Sequence, residues 1–232
     1  MQLAESLQLA AAWFRVLDPA QQARVERDVS VQQVQAGSII ERKGDLAQAW
    51  IGVLAGLVKV SVGNAEGKVA SLTGVPAGGW IGEGSLLKRE VRKYDVVALR
   101  DSVVARLPAV TFEWLLDSSI PFNRYLLHQL NERVAQFIGK AEHDRLLDPD
   151  ARVARCLAEL FNPLLYPGMG MRLAITQEEV GYLARVSRQR ANQALRKLEE
   201  AGLLQVEYGA VRVQDLDGLK RYGADAVMSD EP

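Results

Sequence analysis

The spacing of apolar residues changes character several times along this chain. Over residues 12–27 the apolar markers Ala12, Val16, Ala23 and Val25 recur at helical intervals, with a break at Asp18-Pro19. From Val29 the runs shorten. Val29, Val31, Ile39, Ile51, Val53, Leu57, Val58, Val60 and Val62 are parted by Ala36-Gly37, Lys43-Gly44-Asp45, Gly63-Asn64 and Pro76-Ala77-Gly78-Gly79. Short β-rich runs punctuated by Gly and Pro predict a compact antiparallel barrel or jelly roll. Its last strands are expected at 94–100 and 103–107.

After Pro121 the helical period returns. Phe122, Leu126, Leu130 and Val134 are spaced by four, and Tyr125, Leu127, Phe137, Ile138 and Ala141 widen the stripe. The pattern runs to about Leu147, roughly 37 Å at 1.5 Å per residue. A helix of that length cannot bury itself wholly against one small barrel. The simplest partner for the surplus is a second copy of the same helix, which makes Phe122, Leu126, Leu130, Val134, Phe137, Ile138 and Ala141 candidate dimer contacts. Packing within its own chain is the alternative. Asp148-Pro149 ends the helix, and Val153, Cys156, Leu157, Leu160, Phe161 and Leu164 then mark one amphipathic helix of a second domain.

Residues 176–204, TQEEVGYLARVSRQRANQALRKLEEAGLL, carry the most information. Thr176 and Glu179 are spaced as a capping box, so a helix starts there and buries Val180, Leu183 and Ala184. Ser187 is a second N-cap only a few residues on. The helix it starts buries Ala191, Ala194, Leu195 and Leu198 and stops at Gly202. Two helices joined by a turn of about three residues are a helix-turn-helix. LLQVEYGAVRV then reads as two short strands around Tyr208-Gly209, the wing of a winged helix. The second helix presents Arg188, Gln189, Arg190, Asn192 and Gln193 in its first turns. Arginine can grip guanine O6/N7 with two hydrogen bonds, and glutamine or asparagine can grip adenine N6/N7. Thr176, Gln177 and Ser187 lie at the helix starts, where freed amides suit phosphate. Double-stranded DNA is therefore the expected partner. A signalling module that binds a small ligand and never meets DNA is the rival reading.

Composition narrows the remaining classes. Hydrophobic residues make up 48% and charged residues 25%, and the net charge is −1, so any nucleic-acid contact must come from a local basic surface. The single cysteine, Cys156, excludes an internal disulfide and a multi-cysteine metal site within one chain. No apolar run approaches the roughly 18 residues of a membrane helix, and MQLAESLQLAAAWFR has Glu5 ahead of any basic residue, unlike a signal peptide. A cytoplasmic protein without a membrane partner is expected. Residues 29–107 hold no histidine, which removes the ligands of a metal-dependent barrel enzyme, and neither a G-x-S-x-G elbow nor a Walker loop is present. The chain reads as a non-enzyme with no metal site.

The order AGSIIERKGD, IGVLAGLVKVSV, WIGEGSLL, long helix, and ITQEEVGYLARVSRQRANQALRKLEEAGLL with its wing resembles the CRP/FNR family of bacterial transcription regulators over roughly residues 12–220. The resemblance implies an α+β chain: an N-terminal β-roll of the cyclic-nucleotide-binding type over 1–118, a dimerisation helix over 119–147, and a winged helix-turn-helix over 148–223. A disordered tail is expected over 224–232. It also implies a homodimer on a pseudo-palindromic site, RNA polymerase as a partner, and base reading by Arg188, Gln189 and Gln193. Many members carry Arg-Glu where this chain has Arg188-Gln189, and Arg where it has Gln193, so a different half-site is expected. A hinge near Leu146, Leu147 and Asp148 would pass an effector's signal.

By the same resemblance, residues 82–95 hold a phosphate-binding cassette, with Gly82, Glu83, Gly84, Ser85, Arg92 and Lys93 as effector candidates. Glu83 corresponds to the residue that takes a ribose hydroxyl, and Arg92 to the one that holds a cyclic phosphate. Lys93 replaces a small hydroxyl residue, and Phe137 and Ile138 replace a hydroxyl pair that would meet adenine. No cofactor is expected; a cyclic nucleotide is the ligand the family suggests, and these substitutions speak against cyclic AMP. A cysteine-cluster oxygen sensor lacks its cysteines, and the two histidines, His128 and His143, both lie in the long helix, which is a poor arrangement for haem. The effector is left as an unknown small molecule.

Overall fold

The structure, a computed structural model, describes residues 3–63, 69–146, 148–167 and 169–223, with side chains left aside at 3, 4, 6, 9 and 142–146. Asn64, Leu147 and the tail 224–232 lie outside the described residues, so the loop, hinge and tail expectations there find no counterpart.

The chain opens with α1 (Leu3–Ala10), a 3-10 turn (Phe14–Val16) and α2 (Pro19–Asp28). Asp18-Pro19, read as a break, is also a start. The Asp18 carboxylate accepts from the Gln21 amide at 2.8 Å while the Gln21 side chain accepts from the Asp18 amide, and Pro19 supplies the first helical φ. Eight strands follow: β1 (Ser30–Val34), β2 (Ile39–Glu41), β3 (Ala49–Ala55), β4 (Leu57–Gly63), β5 (Val69–Pro76), β6 (Trp80–Ile81), β7 (Asp95–Ala98) and β8 (Ser102–Pro108), with α3 (Glu83–Leu87) between β6 and β7. They form two antiparallel sheets, ordered β1-β8-β3-β6 and β2-β7-β4-β5. Apart from the paired β4 and β5, consecutive strands lie in different sheets, as in a β-roll.

A helix that the apolar period did not reveal, α4 (Ala109–Ser118), precedes the long helix α5 (Ile120–Leu146). Ser119 separates the two, its hydroxyl facing the Phe122 amide at 3.4 Å, and Pro121 falls in the first turn of α5 where its missing N–H costs nothing. Trp13, Trp50, Trp80, Phe112 and Phe122 meet in one cluster, with ring centroids 4.8–5.8 Å apart among the contacting pairs. Pairs of this kind contribute about 0.5–1.5 kcal/mol each beyond area burial. They tie the N-terminal helices, β3, β6, α4 and α5 into one core.

That cluster corrects part of the expected dimer surface. Phe122 is 0% and Leu126 3% exposed within the chain's own core, whereas Leu130 packs against that core and is only partly buried, so it stays available to a partner. Leu127, Val134, Phe137, Ile138 and Ala141 are exposed instead.

The contacts also divide the chain differently from the expected boundaries. One unit comprises 1–132 with 163–168, the other 133–162 with 169–232, so α5 contributes to both and a short strap joins the first. In that strap the Tyr166 hydroxyl donates to the Gly74 carbonyl at 3.0 Å, and a side chain at Gly79 would collide with Val75 and crowd the Tyr166 ring.

The second unit contains α6 (Pro149–Glu159), β9 (Arg172–Ala174), α7 (Gln177–Ala184), α8 (Arg188–Glu200), β10 (Leu204–Glu207), β11 (Ala210–Val213) and α9 (Leu216–Arg221). Asp148 caps α6 through the Asp150 and Ala151 amides at 2.6 and 3.1 Å. Cys156 is buried on the stripe where its spacing placed it, whereas Leu164 lies beyond the helix and is exposed. Strand β9 extends the wing to three antiparallel strands, β10-β11-β9.

Candidate functional site

The helix pair is set by its caps. Thr176 Oγ1 accepts from the Glu179 amide at 3.2 Å and the Glu179 carboxylate accepts from the Thr176 amide at 2.6 Å, which starts α7. Helix α7 ends at Arg185, a non-glycine residue in the left-handed region (φ 56°), and Ser187 Oγ then accepts from the Arg190 amide at 3.1 Å to start α8. A Cβ at Gly181 would press on the Val186 carbonyl, so the tight turn needs a glycine there.

Of the eight expected DNA-contacting residues, these geometries bring Arg188, Gln189 and Gln193 to the open face of α8. Thr176 and Ser187 spend their hydroxyls on caps while staying exposed at the helix starts. Arg190 and Asn192 differ from the expectation that they face outward. Arg190 turns back to Asp150 of α6 at 2.9 Å and donates to Gln193 Oε1 at 3.3 Å. Asn192 accepts from the Gln177 side chain at 3.0 Å, so these two amides bond α7 to α8. Their partners lie 40 and 15 residues away in sequence, out of reach of any helical-face argument.

Lys197 makes a second contact to Asp150 at 2.6 Å, and that hydrogen bond, with the carboxylate's charge, raises the Lys197 pKa above its usual value. Two exposed residues were missed. Arg196 follows Gln193 by three and Gln189 by seven, a spacing that could have revealed it. Tyr208 stands fully exposed at the tip of the β10–β11 hairpin, where Gly209 (φ 66°) makes the turn.

Between the wing and the helix starts lies a cleft of about 450 Å³, lined by Thr176, Gln177, Arg188, Tyr208 and Gly209 among others. At its rim Glu207 holds Arg172 at 2.6 Å and Arg212 at 3.0 Å; these hydrogen bonds, Arg172 first, keep its carboxyl below the ordinary range. The arrangement can grip a duplex: donors and acceptors on one helix face for base edges, capped helix starts for phosphate, and an aromatic hairpin tip beside them.

The cassette is arranged differently. Gly82 takes a left-handed φ of 96°, and a Cβ there would strike the Arg92 guanidinium. Glu83 is buried and accepts from the Trp50 indole at 3.2 Å; Ser85 is buried, and Gly84 is exposed. Arg92, 1% exposed, donates to Glu41 Oε2 at 2.9 Å, to the Gly82 carbonyl at 2.9 Å and to the Ala49 carbonyl. Lys93 is exposed and pairs with Glu90 at 3.1 Å, Lys88 approaches the same carboxylate at 3.8 Å, and Arg89 pairs with Glu113 at 3.0 Å. The exposed cations of the loop are thus each paired with a neighbouring carboxylate, three cations sharing two anions.

Fold and site together define a two-part regulator, a β-roll followed by a winged helix-turn-helix. Residues 31–119 match the family model of the cyclic nucleotide-binding domain, and residues 151–222 match that of the Crp-like helix-turn-helix domain. The chain is 26% identical over 179 residues to the cAMP-activated global transcriptional regulator Vfr of Pseudomonas aeruginosa, covering 74% of this chain and 83% of that protein. A CRP/FNR-family transcriptional regulator from Thermus thermophilus has a similar structure (TM-score 0.57, 26% identity, 84% of this chain and 98% of that one). FixK2 from Bradyrhizobium japonicum shares the fold (TM-score 0.66, 15% identity, 83% and 96%). The chain belongs to the CRP/FNR family, and it is a DNA-binding transcription regulator of the CRP type. Among the described residues no helix is long and apolar enough to cross a membrane.

Proposed function

We propose that the protein acts as a homodimer in the cytoplasm, that α8 of each copy reads one half of a pseudo-palindromic site, and that RNA polymerase is its downstream partner. The observation that carries the reading is the exposure of Arg188, Gln189 and Gln193 on one face of a helix capped at Ser187, beside an exposed wing. Thr176, Gln177, Arg190 and Asn192 support that face from behind, and Arg196 and Tyr208 extend it. A two-fold dimer spaces its half-sites by one helical turn, about 34 Å.

Dimerisation is assigned to Leu127, Leu130, Val134, Phe137 and Ala141, with Ile138 beside them. Positions 127, 134 and 141 alternate with 130 and 137 at intervals of three and four, the heptad seam of a coiled coil. Relatives such as Vfr carry cAMP activation in their names, but cyclic AMP is not proposed as the effector here. The arginine that would hold its phosphate is engaged, and Phe137 and Ile138 offer adenine no hydrogen bond.

Selection of duplexes from a random pool by the full-length protein tests the reading. Enrichment of two inverted half-sites about 10 base pairs apart, centre to centre, is expected. A pool that stays random would overturn it.

A further inference from the structure

The cluster around Arg92 supports a statement about ligand specificity, resting on the reading of the β-roll as a sensor whose effector is not cyclic AMP. We propose that Glu41 is the specificity-determining residue of the cassette: its carboxylate is a resident counter-anion that closes the β-roll to anionic effectors as a class, cyclic nucleotides and phosphorylated metabolites included.

An arginine keeps its charge at any accessible pH, so a guanidinium 1% exposed must have an anion beside it. Here the anion comes from the chain. Glu41 ends β2, its side chain is 6% exposed, and its two oxygens are divided between two arginines: Oε2 takes Arg92 Nε at 2.9 Å, and Oε1 takes Arg106 Nη2 from β8. The other bonds of Arg92 run to backbone carbonyls on separate elements, Gly82 ahead of α3 and Ala49 at the start of β3. The guanidinium therefore fastens β2, β3 and the cassette together, a task a bound anion would otherwise share.

An incoming phosphate could reach Arg92 only by displacing Glu41, which would leave that buried carboxylate with Arg106 alone, or by sitting beside it, which would place two like charges together in a poorly solvated site. Lys88, Arg89 and Lys93 do not replace the lost charge, since Glu90 and Glu113 already pair with them. Sequence spacing hides all this, because residues 41, 92 and 106 meet only in the folded roll.

The test uses full-length protein, calorimetry and thermal unfolding, with chloride at matched ionic strength as the control. Wild type is expected to give no saturable heat with inorganic phosphate or cyclic AMP and no shift in Tm with acetate. Glu41→Ala should lower the Tm by about 10 °C. Saturable restoration by acetate or formate is expected, each small enough to take the vacated place between Arg92 and Arg106. Glu41→Gln keeps the shape but not the charge, so it should fall similarly and gain nothing from acetate.

Saturable binding of phosphate or cyclic AMP to wild type would overturn the proposal, as would a folded Glu41→Ala that no small anion stabilises. If Glu41→Ala does not fold, the wild-type titrations and Glu41→Gln decide. Duplex selection is scored separately: wild type that selects operators and binds inorganic phosphate but not cyclic AMP refutes only the role of Glu41, binding of cyclic AMP refutes the reading of the effector with it, and a random pool refutes the DNA-binding reading whatever the titrations give.

Discussion

Asp150→Asn perturbs the recognition helix without touching its outward face. The Asp150 carboxylate, 7% exposed, holds Arg190 and Lys197 at 2.9 and 2.6 Å, and these partners are 31% and 53% exposed. Because both cations keep partial access to water, each pair contributes only the fraction of a kcal/mol typical of screened pairs, and the substitution should destabilise the unit by about 1–2 kcal/mol in all. The effect on DNA should run the other way. Arg190 lies in the first turn of α8, three residues after the Ser187 cap, and once released it can reach a phosphate. One added phosphate contact steepens the dependence of log K on log salt by about 0.9. Raising salt fourfold would then weaken binding about three- to fourfold more than in wild type. Fluorescence anisotropy on a random-sequence duplex across a potassium chloride series measures this without knowledge of the operator. Binding to non-specific DNA should tighten at low salt, and discrimination in favour of a selected site should fall. An unchanged slope in a folded variant would show that Asp150 does not restrain a DNA-directed charge.

Arg188→Ala should cost about 1–3 kcal/mol on a selected operator and relax preference at one base pair, read by competition with single-base variants; equal loss on all sequences would make Arg188 a phosphate contact. Phe137→Asp should give monomers in sedimentation without loss of fold, whereas Phe122→Ala should destabilise the β-roll unit by about 3–5 kcal/mol, because one ring is exposed and the other lies in the core. The Glu207 carboxyl is held below its unfolded value of about 4.3. Its contribution to wing stability is therefore full above that value and lost as pH falls through the folded pKa. Glu207→Gln should abolish this acid-dependent loosening, as followed by amide exchange in β10 and β11.

The helix-turn-helix was legible because its instructions are local: a capping box at Thr176 and Glu179, a hydroxyl cap at Ser187, and Gly202 after the second helix. The wing was half legible. Strand β9 is three residues long and shows no period of its own. Helix α4 escaped notice because its ten residues, AVTFEWLLDS, are apolar on several sides. With α4 unseen, the layer that buries Phe122 and Leu126 was missing, and the whole stripe of α5 looked available to a second copy. The inward turn of Arg190 and Asn192 depends on Asp150 and Gln177, and the closure of the cassette depends on Glu41 and Arg106. Those are distances in sequence that only the fold removes.

The aromatic cluster has a further, optical consequence. All four tryptophans of the chain, Trp13, Trp50, Trp80 and Trp114, fall within residues 1–132, so the unit that carries the helix-turn-helix has none. Tryptophan emission in the unlabelled protein therefore reports on the β-roll unit alone. Tyr182, Tyr208 and Tyr222 lie in the other unit while Tyr94, Tyr125 and Tyr166 accompany the tryptophans, so the melting of the β-roll unit can be followed by itself and set against a far-ultraviolet signal from the whole chain.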